Sequence, residues 1–323
     1  MYKVLAGIVS YNPDINRFRK NIKQVLEQVD KVVVFDNASR NFEEIKTLVD
    51  RTPNVVLINN QSNDGMATAL NKIMEYAENQ GYNWVLSLDQ DSIIDKDMVQ
   101  SFEKFINYEN VGIICPFVID SRRRYMRYEF KNDFDEVDMC ITSGSMTSVE
   151  AWRMIARFDD WLFIDLVDND FCKRLRLYEY KIVRVNKVLL NQEFGNIREK
   201  SDFWINFFVK LGKLLHNTNI QKFSYIKTVD PHRVYYTNRN IIYLNIKYKN
   251  NGGIGYENYH CKTYFGFMIC FSFASLLRGR EKGKIFNAII KGIRDGNKKA
   301  SEMVKFNINN TLGTEPDKVR TNL

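Results

Sequence analysis

Several patterns are missing from this 323-residue chain, and each absence excludes a class. Its five cysteines, Cys115, Cys140, Cys172, Cys261 and Cys270, contain no Cys-x-x-Cys pair and sit among apolar or aromatic neighbours. They read as buried free thiols of a reducing compartment rather than a disulfide scaffold. The three histidines, His216, His232 and His260, are too far apart for a zinc spacing. No Gly-x-Gly-x-x-Gly follows the first apolar run, which excludes the dinucleotide fingerprint. Met1 to Ser10 reads as a strand rather than a basic stretch leading into an apolar one, so no signal peptide is expected. The strongest apolar block, Tyr264 to Leu277, is 14 residues long. A membrane-crossing helix needs about 20. No internal repeat is found.

What is present is enough apolar material for a sizeable core, 45% of residues, and an uneven charge. Residues 261–323 hold 12 Lys or Arg and 5 Asp or Glu, a balance of +7 out of the chain's +8. The remainder is nearly neutral. A positive C-terminal field points to an anionic partner surface, membrane or nucleic acid.

Apolar, β-branched runs alternate with helical patterns through the first hundred residues. Runs at Tyr2–Val9, Val32–Phe35, Val55–Ile58 and Trp84–Leu88 are separated by helical spacings at Asn16–Val29, Phe42–Val49 and Ala67–Asn79. This predicts a parallel sheet with right-handed crossovers. The fourth run ends in Asp89-Gln90-Asp91-Ser92. If extended geometry persists through Asp91, both acids share one face at the strand's C-terminal end, where open α/β sheets bind ligands. Paired carboxylates there suit Mg²⁺ or Mn²⁺ shared with phosphate oxygens. The competing reading is a polar turn that caps the next segment. A second acidic cluster, Asp165, Asp168 and Asp170, lies among Phe163, Ile164, Leu166, Val167 and Phe171. Desolvation by such neighbours raises a carboxylate's pKa towards that of a general base. The competing reading is helix N-terminal capping.

These motifs, in this order, resemble the inverting family 2 glycosyltransferases, and within them the bacterial rhamnosyltransferase-like branch. They are Val9-Ser10-Tyr11-Asn12, Asp36-Asn37-Ala38-Ser39, Asn63-Asp64-Gly65-Met66-Ala67 with Asn71, Leu88 to Ser92, Ser143-Gly144-Ser145, Phe163 to Asp168, and Tyr235-Tyr236-Thr237-Asn238-Arg239-Asn240. The resemblance covers roughly residues 1–250. It implies the GT-A nucleotide-diphospho-sugar transferase fold: a Rossmann-like, mostly parallel sheet flanked by helices, with a helical C-terminal extension. The implied catalytic domain spans 1–200, with a nucleotide-sugar half to about 92 and an acceptor half after it. A basic helical extension over 201–306 and a polar tail over 307–323 follow.

By the same resemblance, Ser10, Tyr11, Asn12, Asp36, Asn63, Gly65, Asp89, Gln90, Gly144 and Ser145 would bind the nucleotide sugar, with Arg198 a candidate diphosphate clamp. Asp89 and Asp91 would hold a divalent cation, and Asp168 would be the base, with Asp170 as runner-up. Many relatives carry a histidine where this chain has Gln192, so Gln192 or Glu193 would have to replace that ligand. Asp36 could instead cap a helix.

The expected activity is transfer of a sugar, foremost L-rhamnose from dTDP-L-rhamnose, onto a lipid-linked cell-surface polysaccharide. Other donors (UDP-galactose, UDP-glucose, UDP-galactofuranose) and a non-catalytic nucleotide-sugar-binding protein are the alternatives. The apolar block followed by Arg278, Arg280, Lys282 and Lys284 reads as an interfacial anchor on anionic lipid, at the cytoplasmic face of the plasma membrane. A helical hairpin packed on the protein, or a homo-oligomer interface, is the other reading. Nucleic acid is not expected as a partner, because the aromatics form a block rather than alternating with charge.

Overall fold

The computed structural model describes residues 2–120, 122–123, 130–192, 195, 197–254, 261 and 263–312. The chain divides into two compact units between Thr228 and Val229.

The first unit is built on a mixed sheet. Its strands are β1 (Val4–Ser10), β2 (Val32–Asn37), β3 (Val55–Asn60), β4 (Trp84–Asp89), β5 (Val111–Ile119), β6 (Phe134–Glu136), β7 (Ser145–Ser148) and β8 (Lys181–Asn191). They lie in the order β3-β2-β1-β4-β7-β5-β8-β6. The first four are parallel, joined by α1 (Ile15–Leu26), α2 (Phe42–Asp50) and α3 (Gly65–Asn79). β1, β2 and most of β4 are buried, as expected of strands covered on both faces. Phe18, Ile22 and Val25 of α1 pack beneath Ile8, Val34 and Leu86 in one core.

Beyond β4 the direction changes. β7 runs antiparallel to both β4 and β5, and β5 pairs in parallel with β8. The β5–β8 register slips between Pro116 and Phe117, where proline cannot donate to the ladder. Short helices α4 (Met98–Glu103) and α5 (Val149–Met154) and the longer α6 (Val167–Leu177) cover this half. A small ribbon of β9 (Ile197–Glu199) and β10 (Tyr225–Lys227), with α7 (Asp202–Leu214) and α8 (Thr218–Gln221), completes the unit. This is the expected sheet flanked by helices.

The second unit is helical: α9 (Pro231–Lys247), α10 (Tyr264–Phe267), a π-helical turn over Met268–Phe273, α11 (Ala274–Arg278) and α12 (Lys282–Leu312). Its apolar centre joins Val234 to Ile285 and Ile289. Gly292 and Gly296 let α12 lie close along α9, since a side chain at Gly292 would strike the Tyr235 carbonyl, and one at Gly296 the Arg239 backbone. The motif residues Thr237, Asn238, Arg239 and Asn240 are all buried within this unit. Arg239 lies over the Tyr236 ring at 4.6 Å, and the Tyr235 hydroxyl donates to Asp295 at 3.0 Å. No helix among the described residues is long and apolar enough to cross a membrane.

Candidate functional site

The strand order reverses at β1 and β4. The chain leaves β1 towards β2 on one side and returns to β4 on the other, which opens a crevice at their C-terminal ends. The residues singled out from sequence converge on this rim. Tyr11 backbone N–H donates to the Gln90 amide oxygen at 2.7 Å and so spans the crevice from the β1 loop to the β4 loop. The Tyr11 side chain itself is exposed.

The β1 and β2 loops are laced together. Asp36 is fully buried, with one carboxylate oxygen accepting from Ser10 Oγ at 3.0 Å and the other from Ser39 N–H at 3.0 Å. Asn12, at φ +51°, takes Arg40 N–H on its side-chain oxygen at 2.8 Å and gives its own N–H to Ser39 Oγ. The carboxylate is therefore engaged within the loops themselves. The helix-cap position of α2 belongs to Asn41, not Asp36.

The β3 loop joins through Asn37, whose side-chain amide donates to Asn63 Oδ1 at 2.9 Å and whose oxygen accepts Asp64 N–H at 3.0 Å. Gly65 opens α3 at φ +89°, where only glycine is unstrained, and a Cβ there would collide with the Phe163 carbonyl. Met66 N–H donates to that same carbonyl at 2.6 Å. This contact brings the second acidic segment, nearly a hundred residues further along, against the turn that opens α3.

Asp89 and Asp91 are presented differently from the extended-strand expectation. β4 stops at Asp89, and Ser92 N–H closes a turn onto the Asp89 carbonyl at 3.2 Å. β7 begins only at Ser145, so the last β4–β7 pair is Ser87 with Ser145 and the ladder ends there. Asn21 also donates to the Asp89 carbonyl at 2.7 Å, and Arg17 Nε donates to the Asp91 carbonyl at 2.9 Å. Both acids remain at the rim, partly exposed, on a turn rather than by strand alternation.

Gln192 reaches this turn from the end of β8. Its amide donates to Asp89 Oδ2 at 2.9 Å, and its oxygen accepts from Ser92 Oγ at 2.9 Å. Ser92 and Ser143 hydroxyls lie 2.7 Å apart, and Asp89 N–H donates to Ser143 Oγ. Gly144 N–H donates to the Ser87 carbonyl at 2.7 Å, and Ser145 Oγ to the Ile141 carbonyl at 2.5 Å. Gln192 is thus a buried brace for Asp89. Glu193 lies outside the described residues. Arg17 and Asn21 were not singled out from sequence, and Ser92 appeared only as the last residue of the acidic motif. Their partners lie far along the chain and carry no local pattern, so only the tertiary structure shows them.

In the second acidic cluster, Asp165 and Leu166 both adopt left-handed backbone, φ +64° and +62°. Two such non-glycine residues in succession are a costly entry to α6 and fix where its first turn points. Asp168 is half-exposed in that turn, with Leu166, Val167 and Phe171 buried around it. Asp170 is fully buried, and its Oδ2 accepts from Arg174 Nε at 2.9 Å and Nη2 at 2.6 Å. Arg174 Nη1 also reaches the Ile155 carbonyl at 2.5 Å and the Arg157 carbonyl. Asp170 is thereby committed to an ion pair, while Asp165 and Asp168 are partly open to solvent. Arg198 is exposed on β9.

No cluster of three or more metal-ligating side chains occurs among the described residues. Two aspartates nonetheless fit a Mg²⁺-like cation, which keeps several waters and takes further oxygens from substrate phosphates. Two grooves, of about 380 and 880 Å³, lie along α4 and between α1 and α2, and neither is lined by any of these rim residues.

Residues 6–185 match the family described as glycosyl transferase family 2. The chain is 30% identical over 191 residues to the dTDP-rhamnosyl transferase RfbF of Shigella flexneri, across 54% of this chain and 64% of that one. The match therefore spans less than two thirds of that relative's length. In fold the chain is similar to a mannosyltransferase from Pyrobaculum calidifontis solved with GDP-mannose and Mn²⁺. The TM-score is 0.53 at 12% identity, over 97% of this chain and 81% of that one. It is also similar to GalNAc-T7 solved with UDP, GalNAc and Mn²⁺, at a TM-score of 0.51 and 12% identity, over 84% of this chain and 57% of that one.

Proposed function

Starting from the family to which this chain belongs, glycosyl transferase family 2, we propose that it is an inverting transferase moving a sugar from a nucleotide diphosphate to a glycan hydroxyl. The observation that carries the reading is the contact between the second acidic segment and the turn that opens α3. Gly65 and Met66 meet the Phe163 carbonyl, two residues before Asp165. In this reading donor and base functions face one crevice.

In this reading the β1, β2 and β3 loops, with Tyr11, Asn12, Asp36 and Asn63, shape the nucleoside pocket. Asp36 acts by fixing Ser10 and Ser39 in place. Asp89 and Asp91 would hold Mg²⁺ or Mn²⁺, which when bound offsets the charge of the diphosphate. Gln192 keeps the Asp89 carboxylate oriented. The Asp168 carboxylate takes the proton of the acceptor hydroxyl as that oxygen bonds to the anomeric carbon and the bond from carbon to the diphosphate oxygen breaks. Attack from the face opposite the leaving group inverts the centre.

The rhamnosyl relative favours dTDP-L-rhamnose as donor; the acceptor in this reading is a lipid-linked surface polysaccharide. A peripheral position at the inner face of the plasma membrane fits the second unit. There Phe265, Ile269, Phe273 and Leu277 form an exposed stripe at four-residue spacing, followed by Arg278, Arg280, Lys282 and Lys284. The test is a panel of nucleotide sugars incubated with purified protein, with release of nucleoside diphosphate measured with and without Mn²⁺. dTDP-L-rhamnose is expected to be turned over fastest. Absence of both turnover and binding across the panel would refute the reading.

A further inference from the structure

The largest apolar side chains of α7 lie on the side away from the protein. Its buried positions are Ile205 and Gly212, and a side chain at Gly212 would strike Gln221 of α8. A surface helix that packs on one face usually carries polar residues on the other. Here Phe203, Phe207 and Leu214 recur, with Lys210, at the three- and four-residue spacing of one face opposite Ile205 and Gly212. The three apolar side chains are 71%, 46% and 76% exposed. Trp204 and Leu215, also exposed, widen the face. The rings form one ridge, with Trp204 centred 5.4 Å from Phe203 and 5.8 Å from Phe208. An exposed apolar patch of this kind marks an interaction surface.

The charge around the ridge selects its partner. Residues 198–227 hold six Lys or Arg and two Asp or Glu, a balance of +4. Both acids, Glu199 and Asp202, precede the ridge. Lys210 sits within the exposed face between Phe207 and Leu214, Lys213 is exposed on its flank, and Lys200 Nζ lies 5.0 Å from the centre of the Phe208 ring. Aromatic and leucine side chains rimmed by lysines suit an anionic lipid surface. The apolar groups enter the boundary of the acyl chains, and lysine stems lie along them while the ammonium groups meet the headgroups. A tryptophan sits favourably at that depth. A second copy of the chain fits less well, because a twofold contact would set this positive field against itself.

We propose that the exposed face of α7 is a docking surface for anionic lipid, carried by the first unit and separate from the apolar stripe of the second. The inference uses no residue of the crevice and holds whichever donor the protein takes.

The test uses the full chain with phosphatidylcholine vesicles, with and without phosphatidylglycerol, some of them carrying brominated acyl chains. Of the four tryptophans, Trp84 and Trp152 are buried and Trp161 is half-buried, so Trp204 is the exposed ring that bromine can quench. Vesicles with phosphatidylglycerol are expected to quench the parent, and Trp204→Phe should lose most of that quenching. Phe203→Ser with Phe207→Ser, first checked by thermal melting, should weaken vesicle partitioning about tenfold or more, as two rings stay out of the lipid. Lys210→Glu with Lys213→Glu should weaken it only where phosphatidylglycerol is present, and most at low salt. If the phenylalanine pair fails to fold, the lysine pair and the Trp204 quenching decide. Vesicle binding needs no nucleotide sugar, so a parent that transfers no sugar would still report on this face. Quenching that persists in Trp204→Phe, or partitioning unchanged in the folded variants, would overturn the proposal. So would a parent that is dimeric by light scattering, becomes monomeric in the phenylalanine pair and shows no quenching at Trp204, which would assign the face to a second copy.

Discussion

Replacing Asp170 by Asn, side by side with Asp168→Asn, separates structure from chemistry in the second acidic cluster. Asp170 is fully buried, and Arg174, whose side chain is 12% exposed, spends two donors on it. Removing one partner of a buried pair costs about 3–5 kcal/mol, because a charge is left behind without its counterpart. Asn keeps one acceptor oxygen, and Arg174 keeps the Ile155 and Arg157 carbonyls, so about 2–3 kcal/mol is the expected loss. In a unit of this size about 1 kcal/mol shifts the melting temperature by 2–4 °C, so a drop of roughly 4–12 °C follows. Asp168→Asn is a same-size change at a partly exposed position in the first turn of α6, whose N-cap is Leu166. It should melt within about 3 °C of the parent yet transfer sugar roughly 10² to 10⁴ times more slowly, the usual loss of a positioned base. Differential scanning calorimetry and initial transfer rates on both proteins read this out. An Asp170→Asn protein that melts like the parent but is inactive, paired with a fully active Asp168→Asn protein, would refute the assignment and move the base to Asp170.

Asp91→Asn is expected to keep the fold but abolish the Mn²⁺-dependent gain in dTDP affinity, measured by calorimetry, and an undiminished gain would exclude the acidic turn as the cation site. Gln192→Ala should weaken the same gain by about tenfold through a loosened Asp89, since a lost buried hydrogen bond is worth about 1–3 kcal/mol, while thymidine binding stays constant. Phe265→Ser with Phe273→Ser should lower sedimentation with anionic vesicles at low salt without changing soluble transfer, and unaltered sedimentation would show that the exposed stripe meets something other than lipid. Iodoacetamide should label exposed Cys270 quickly and Cys172 hardly at all in the folded protein. The neighbouring Cys140 sulfur, 3.8 Å away, and then burial hold the Cys172 thiol well above the usual range, so its thiolate stays scarce at pH 8 to 9; rapid labelling of Cys172, read by peptide mass spectrometry, would contradict the packing around α6.

The sequence alone determined the alternating first half of the fold, because β-branched runs and helical spacings are local signals that tertiary contacts here reinforce. The run Trp84 to Leu88 became a strand, and Asn63-Asp64-Gly65 became the turn into α3. It also marked the two acidic segments, since carboxylates after an apolar run stand out against their neighbours. It read all five cysteines as buried, yet Cys270 is exposed, because an apolar neighbourhood in sequence does not say which face of a helix is covered. The tertiary structure decided the division of labour among the acids. Asp170 is tied to Arg174 and Asp36 to Ser10 and Ser39, whereas the side chains of Asp168 and Asp91 stay partly open. That outcome depends on depth and on partners brought in by other elements, which spacing cannot encode. The bracing of Asp89 by Gln192 was decided in the same way. It needs strands far apart in sequence to lie in one sheet, and only the order β4-β7-β5-β8 puts them there.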